Sequence, residues 1–208
     1  MKESRQTVPA TPHDAVFAPF GKFPRADWPH RVAAFLLDLM LVTALVGTLL
    51  FGYILPTRFG SELEEMETWS RAFWAEAQRA TREGEPARLP EMSEELIELF
   101  AFIQQFILGV FWAYFGGLPV VLRGATLGKR MVGLSVMDRN TVGSPGFGTC
   151  LLRGGIQAFS LILFFPLLLI NFLAAFFFRH RLALHDLAAR TIVVSMPPDE
   201  AAGEKGET

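Results

Sequence analysis

One acidic side chain, Asp38, lies inside a long apolar stretch, and this position makes it the first candidate for chemistry. It is the only charged residue between positions 32 and 55. A carboxylate inside a bilayer costs roughly 3 kcal/mol on insertion scales, so we expect Asp38 to face protein or a wet cavity and not lipid. Arg31 lies seven residues earlier, on the same helical face but about 10 Å away along the axis. That separation predicts a third polar group or a water between the two side chains.

The other candidates for catalysis or metal binding are few. His185 and Asp186 are adjacent, a spacing that does not by itself bring their side chains into a hydrogen bond. His180 and His185 are five residues apart, a poor spacing for a metal pair on a helix, and no cysteine or carboxylate cluster accompanies them. Cys150 is the single cysteine and has no identifiable base, so we expect it to be a small apolar residue. We therefore expect neither an enzyme nor a bound metal or cofactor.

A glycine-rich segment before a lysine, Gly124 to Arg130, invites comparison with a phosphate-binding loop. Three residues separate its glycines and an arginine follows its lysine, whereas a P-loop has four intervening residues and a Ser or Thr after the lysine. A nucleotide site is therefore disfavoured. We expect Arg123, Lys129 and Arg130 to lie near anionic lipid headgroups and to help set the topology of the chain. No feature of the sequence predicts a nucleic-acid partner.

The elements that must position these residues are membrane helices. The chain has 208 residues, 51% of them hydrophobic, with 20 Phe and a mean hydropathy of +0.32. Long apolar runs cover residues 31–55, 96–122 and 151–178, and the first two are long enough to cross a bilayer core. These features predict an all-α, polytopic transmembrane helical bundle with small cytoplasmic β-strand elements. Because so few spans enclose little volume, we expect a homo-oligomer or a membrane-protein partner.

The third apolar run is interrupted by Pro166 and Asn171 and leaves two topologies open. A single kinked crossing would place the arginine-rich segment after it outside the cell, against the positive-inside rule. A helical hairpin would return that segment to the cytoplasm, although each arm would have only about 13 to 15 residues, short for a full crossing. The β-rich stretches Leu134–Met137 and Thr191–Ser195 can pair only in one compartment, which favours the hairpin.

Charge sets the orientation of the chain. Residues 123–155 hold five basic residues against one acid, Asp138, so the positive-inside rule predicts a cytoplasmic loop. Two preceding spans put the N-terminal arm on the same side. The connector over residues 56–95, with ten Glu and five Arg, is then extracytoplasmic. The predicted organisation is a disordered arm over residues 1–24, a transmembrane domain over residues 25–195 and a disordered acidic tail over residues 196–208.

Within the connector, the sequence predicts an amphipathic helix. Ser61 followed by Glu64 has the form of a capping box, apolar residues then recur at helical spacing, and the helix should end near Gly84. We expect its apolar face to lie on the membrane surface or over the mouth of the bundle, with a docking site for another protein as the alternative. Pro56, just before the helix, is expected to end the first span.

Small residues predict where helices pair closely. Gly109, Ala113 and Gly117 stand four residues apart on one stripe of the second span, a spacing that lets another helix approach. Ser93 is expected to cap the beginning of this span.

Four motifs, in their order along the chain, resemble those of the RDD family of membrane proteins. They are RVAAFLLD with Arg31 and Asp38, GATLGKRMVGLSVMD from Gly124, LLR ending at Arg153, and LHDLAARTIVV from Leu184. The resemblance implies that the family's name-giving arginine and first aspartate correspond to Arg31 and Asp38, and its second aspartate to Asp186. It also implies a membrane protein, and transport of ions or small ligands has been suggested for the family. The acidic connector departs from compact members, so the resemblance implies no role for it.

Two functions remain open at this point. In the first, the protein transports an ion or small ligand, with Asp38 as the ion- or proton-binding carboxylate, Arg31 as a nearby positive charge and Asp186 as a gate or second carboxylate. In the second, it is a non-catalytic membrane scaffold or assembly protein in which the same residues form a structural polar network. The candidate ligand-binding or network residues are Arg31, Asp38, His185 and Asp186, and the candidate residues of the cytoplasmic motif are Gly124, Thr126, Gly128, Lys129, Arg130, Asp138 and Arg153.

Overall fold

The computed structural model describes residue 24 and residues 26–162 and 183–195, and this described part is mostly helical. Its elements, in chain order, are α1 (Trp28–Arg58), α2 (Gly60–Glu83), α3 (Glu94–Val121), α4 (Leu127–Met131), β1 (Leu134–Asp138), α5 (Phe147–Ile162), α6 (Leu184–Ala188) and β2 (Thr191–Ser195). The chain divides into two compact units. One consists of residues 41–110, and the other of residues 1–40 together with residues 111–208.

Helices α1 and α3 are both long and apolar enough to cross a membrane. They contain 31 and 28 residues, and their most apolar windows have mean hydropathies of 2.3 and 1.8. Large apolar side chains such as Leu36, Met40 and Phe51 are exposed on α1, as expected of a helix whose surroundings are lipid. The described part of the chain therefore contains two membrane-capable helices.

The structure describes only the beginning of the third apolar run. This part forms α5, an apolar helix of 16 residues, shorter than a full span. Pro166 and Asn171 lie outside the described residues, and the choice between a kinked crossing and a hairpin lies there with them. The disorder predicted for the N-terminal arm and for the acidic tail concerns residues 1–23 and 196–208, which are also outside the described part.

The prediction that Pro56 ends the first span is wrong, because the helix widens just before the proline. Residues 50–54 form a π-helical turn, and the helix then continues through Pro56 to Arg58. Helix α3 repeats the arrangement, with a π-helical turn over Ala113–Gly117 before Pro119. A proline has no N–H, and its ring crowds the carbonyl four residues earlier. A π-helical turn moves that carbonyl away, so both spans accommodate their prolines.

Within residues 41–110, the predicted amphipathic helix is confirmed as α2, which ends at Gly84 with φ +70°. The predicted capping box is wrong, because the helix already begins at Gly60 and has no side-chain cap. The Ser61 hydroxyl donates to the carboxylate of Glu62 instead of accepting a hydrogen bond from a backbone amide. The apolar face of α2 packs into a core with α1 and α3. That core consists of Leu50, Leu55, Phe59, Leu63, Met66, Trp69, Leu96, Leu99, Phe102, Ile103, Phe106 and Ile107. The chain's own helices therefore cover this face.

Ser93 caps α3 as predicted, since its hydroxyl accepts a hydrogen bond of 3.1 Å from the amide of Leu96.

Close helix pairing occurs at a different glycine from those of the predicted stripe. A Cβ added to Gly109 or Gly117 would meet no atom within 4 Å, so neither position requires a glycine for packing. Instead, a Cβ on Gly154 of α5 would lie 2.2 Å from the backbone nitrogen of Gly116. The π-helical turn adds one residue to α3 and so rotates the following residues by about 100°. This extra residue explains why the neighbouring glycine faces α5.

Strands β1 and β2 form a two-stranded antiparallel sheet, which confirms the predicted pairing. Their register starts with Leu134 opposite Ser195. Gly124 lies against β1, with φ +98°, and an added Cβ would sit 2.4 Å from the carbonyl oxygen of Val136. A side chain would be strained there by both conformation and space. The sheet ties α6, which carries Asp186, into the unit that contains the beginning of α1.

Candidate functional site

Asp38 of α1 is only 1% exposed, and its carboxylate accepts hydrogen bonds from three donors. The Tyr114 hydroxyl of α3 and the Gly128 amide of α4 each donate to Oδ1 at 2.7 Å. The Thr126 hydroxyl donates to Oδ2. An ionised carboxylate accepts about four hydrogen bonds, so most of its capacity is used here. The expectation that Asp38 faces protein is therefore confirmed.

The glycine-rich segment makes this contact possible. Thr126 directly precedes α4 in an extended conformation, and Gly128 lies in the first turn of the helix, where amides have no helical partner. A Cβ added to Gly128 would lie 2.4 Å from the carbonyl oxygen of Ala34 and 2.8 Å from the backbone nitrogen of Asp38. Only a glycine allows α4 to approach α1 so closely. The segment is therefore the surface on which the first helix docks.

A second buried carboxylate, Asp186 of α6, is held by two arginines. Arg153 of α5 donates from Nε to Oδ1 at 2.9 Å, and its terminal nitrogen lies 2.8 Å from the same oxygen. Arg31 of α1 contacts Oδ2 at 3.4 Å and also donates to the carbonyl oxygen of Val193 at 3.1 Å. These contacts join α1, α5, α6 and β2. We call the set of Arg31, Asp38, Lys129, Arg153, His185 and Asp186 the polar centre.

The two titratable residues of α6 differ in charge, because Asp186 is ionised and His185 is neutral. Burial opposes ionisation of Asp186, but the positive charges of Arg153 and Arg31 outweigh it and hold the pKa of this carboxyl well below its usual range. Burial lowers the pKa of His185 to about 3. The imidazole is therefore neutral at physiological pH, and its 3.5 Å contact with Asp186 is not an ion pair.

Lys129 of α4 is buried among the charges of the polar centre, with 8% of its surface exposed. Burial lowers the pKa of its ammonium group to about 7, the positive charges of Arg153 and Arg31 act in the same direction, and Asp38 and Asp186 oppose them. Its charge therefore changes close to physiological pH.

Arg31 and Asp38 do not pair with each other, as their separation in sequence predicted. Arg31 contacts Asp186, and Asp38 has its own three donors. Lys129 interacts electrostatically with both Arg31 and Asp38. The expectation that Lys129 meets lipid headgroups is wrong, because the side chain is buried. The other two basic residues of that prediction, Arg123 and Arg130, are exposed.

Thr126 and Gly128 of the predicted cytoplasmic motif donate to Asp38, whereas three other residues of the motif lie away from the polar centre. Gly124 supports β1, and Arg130 is exposed next to the buried lysine. The Asp138 carboxylate accepts hydrogen bonds from the amides of Asn140 and Thr141 and so shapes the turn after β1. Sequence motifs alone do not separate such turn-forming residues from residues of the site.

Sequence reasoning missed two polar residues near the centre. Tyr114 is one of only two tyrosines in the chain and lies within an apolar span, which was a usable signal. Gln157 lies four residues after Arg153, hence on the same face of α5. It is 5% exposed, and its Oε1 has no hydrogen-bond partner within the described part of the chain. Both Gln157 and Lys129 line a cavity of about 50 Å³ beside Asp186.

A comparison with known families agrees with the motifs. Residues 25–190 match the model of the RDD family. The chain belongs to the RDD family. No curated protein and no solved structure matches it. The matched residues include every residue of the polar centre. The RDD family is membrane-associated, and with its two membrane-capable helices this RDD chain is a membrane protein.

Proposed function

We propose that this RDD protein is a multi-pass protein of the cell inner membrane in which the polar centre locks the first membrane helix to the cytoplasmic loops. The observation that carries the proposal is the arrangement around Asp38. Its carboxylate is 1% exposed and accepts hydrogen bonds from Tyr114, Thr126 and Gly128. A transported ion would have to displace these donors. The geometry therefore favours a non-catalytic membrane scaffold or assembly protein.

The proposed topology places the N-terminal arm and residues 123–155 in the cytoplasm. The five basic residues of that loop support it through the positive-inside rule. Pairing of β1 with β2 supports it further, because residues 139–190 begin and end at one sheet, as a hairpin over the third apolar run would require. A tag at residue 200 should be shielded from external reagents in intact cells. External labelling of that tag would contradict the topology.

The proposed partners follow from the same orientation. Arg123 and Arg130 are exposed and would face the anionic headgroups of the inner leaflet. A homo-oligomer or a membrane-protein partner remains part of the proposal, because a scaffold function requires something to assemble.

A second candidate function is transport of an ion or small ligand through a site that uses Arg31, Asp38 and Asp186. The observation that favours it is the cavity of about 50 Å³ next to Asp186. Buried ionisable residues at the end of membrane helices are typical of transport pathways.

Ion flux in proteoliposomes separates the two candidates. For a scaffold, vesicles with the wild-type protein should show no ion-driven pH change above that of empty vesicles, and Asp38→Asn should reduce the yield of folded protein. Glu98→Gln, an exposed change on α3, is the matched control and should leave the yield unchanged. Flux in wild-type vesicles that is lost in folded Asp38→Asn protein would overturn the scaffold and support transport.

A further inference from the structure

The cavity beside the polar centre is lined in part by three cationic side chains. Its described lining includes Arg31, Lys129, Arg153 and Gln157, together with apolar residues such as Trp28. Its volume of about 50 Å³ exceeds the roughly 10 to 15 Å³ that is needed to hold one water molecule. The cavity is thus large enough for a chloride-sized ion.

The charges around this cavity do not balance when Lys129 is protonated. The groups that interact electrostatically with Lys129 are Arg31 and Asp38 from α1, Arg153 from α5, and His185 and Asp186 from α6. With the histidine neutral, three positive charges stand against two carboxylates. Excess buried charge is costly unless a counter-ion or a proton loss removes it.

Two polar groups on the cavity wall lack a partner among the described residues. The Oε1 atom of Gln157 is buried without a hydrogen-bond partner, and the amide as a whole forms no hydrogen bond with another described residue. The ammonium of Lys129 likewise makes no ion pair with any carboxylate in the described ranges. Asp38 and Asp186 are instead occupied by their own donors. Because no described hydrogen bond fixes the orientation of the Gln157 amide, either its oxygen or its N–H group can face the cavity, and the Lys129 ammonium is a second donor on the same wall.

We propose that this cavity binds one small monovalent inorganic anion, of the size of chloride, between Lys129, Gln157 and the arginines of the polar centre. The anion supplies the missing negative charge and the missing acceptor. This anion site is additional to the proposed scaffold function. It does not depend on which of the two candidate functions is correct, because a bound anion would complete the polar network in a scaffold and in a transporter.

Anion binding is coupled to the proton on Lys129. With a pKa of about 7, the ammonium form makes up about 90% of the population at pH 6 and about 3% at pH 8.5. If only that form binds the anion, apparent affinity falls about 30-fold between these pH values. His185 stays neutral and Asp186 stays ionised in this range, so neither of them contributes to the pH dependence.

The test is the melting temperature of the full chain in a non-ionic detergent as chloride replaces gluconate at constant ionic strength. A ligand that binds only the folded state raises this temperature in a saturable way. We expect saturable stabilisation by chloride at pH 6, with a midpoint concentration about 30-fold higher at pH 8.5. Identical curves for chloride and gluconate at pH 6, or equal midpoints at both pH values, would overturn the site.

Variants locate the effect. Lys129→Met should abolish the chloride response, and Gln157→Leu should raise the midpoint concentration without removing its pH dependence. Arg130→Gln changes the exposed neighbour and should respond as the wild type does. A full chloride response in Lys129→Met would overturn the proposal. If that variant does not fold, an unchanged midpoint in Gln157→Leu would do so.

Discussion

Replacing Gly128 by alanine should break the docking of α4 on α1, because the added methyl group has no space. The new Cβ would lie 2.4 Å from the carbonyl oxygen of Ala34 and 2.8 Å from the backbone nitrogen of Asp38. Overpacking of this kind costs about 1 to 3 kcal/mol. The shift it forces also weakens the 2.7 Å hydrogen bond from the Gly128 amide to the Asp38 carboxylate, and hydrogen bonds to charged groups contribute about 1.5 to 3 kcal/mol.

The gain in helix propensity from glycine to alanine offsets about 0.5 to 1 kcal/mol of this loss. The net effect is about 3 kcal/mol, or roughly 6 to 12 °C in melting temperature for a chain of this size. Thermal unfolding in detergent measures it. Gly148→Ala, in the first turn of α5 where an added Cβ meets nothing within 4 Å, is the matched control and should melt at or slightly above the wild-type temperature. A Gly128→Ala protein that melts within about 1 °C of the wild type would refute the reasoning.

Three further predictions follow from the geometry. Gly154→Ala should destabilise the protein by about 1 to 3 kcal/mol, because its Cβ would overlap the backbone of α3, whereas Gly117→Ala should not; equal melting temperatures would contradict this. Ser93→Ala should lower the free energy of unfolding by about 1 kcal/mol, and Ser61→Ala by much less, since only the first serine caps a helix; chemical denaturation distinguishes them. The unfolded state protonates its histidine near pH 6.5 and the folded state only near pH 3, so stability should decline as pH falls through this window. His185→Gln should flatten that part of the stability curve, and an unchanged curve would count against a buried neutral imidazole.

Much of the fold could be predicted from the sequence, because apolar periodicity and charge act locally. The two spans, the amphipathic helix ending at Gly84 and the pairing of the β-rich stretches all follow from such patterns. The position of Pro56 inside a helix could not be predicted, since its accommodation depends on a π-helical turn. The π-helical turn in α3 has a similar effect. The predicted stripe through Gly117 lies on the helix that packs closely against α5, but Gly116 and not Gly117 makes the contact.

The composition of the site was predicted better than its pairings. Arg31, Asp38 and Asp186 do lie in one polar centre, but the spacing along the chain could not show that Arg31 contacts the distant Asp186. From the sequence, Lys129 was expected to be an exposed cation in a basic loop. Its burial depends on contacts between distant segments, which the sequence pattern does not show. Asp38 was expected to be costly, and the donor from Tyr114 that reduces this cost comes from another span.

The most direct test of the structural role of Asp38 is a double-mutant cycle with Thr126, read out as the free energy of unfolding in a denaturing-detergent titration. The single changes are Asp38→Asn and Thr126→Val, and the latter keeps the side-chain volume while removing the donated hydrogen bond. We predict an interaction energy of about 1.5 to 3 kcal/mol, as for a hydrogen bond to a charged group. Effects that add within about 0.5 kcal/mol would contradict the view that this carboxylate holds the first membrane helix to the loop.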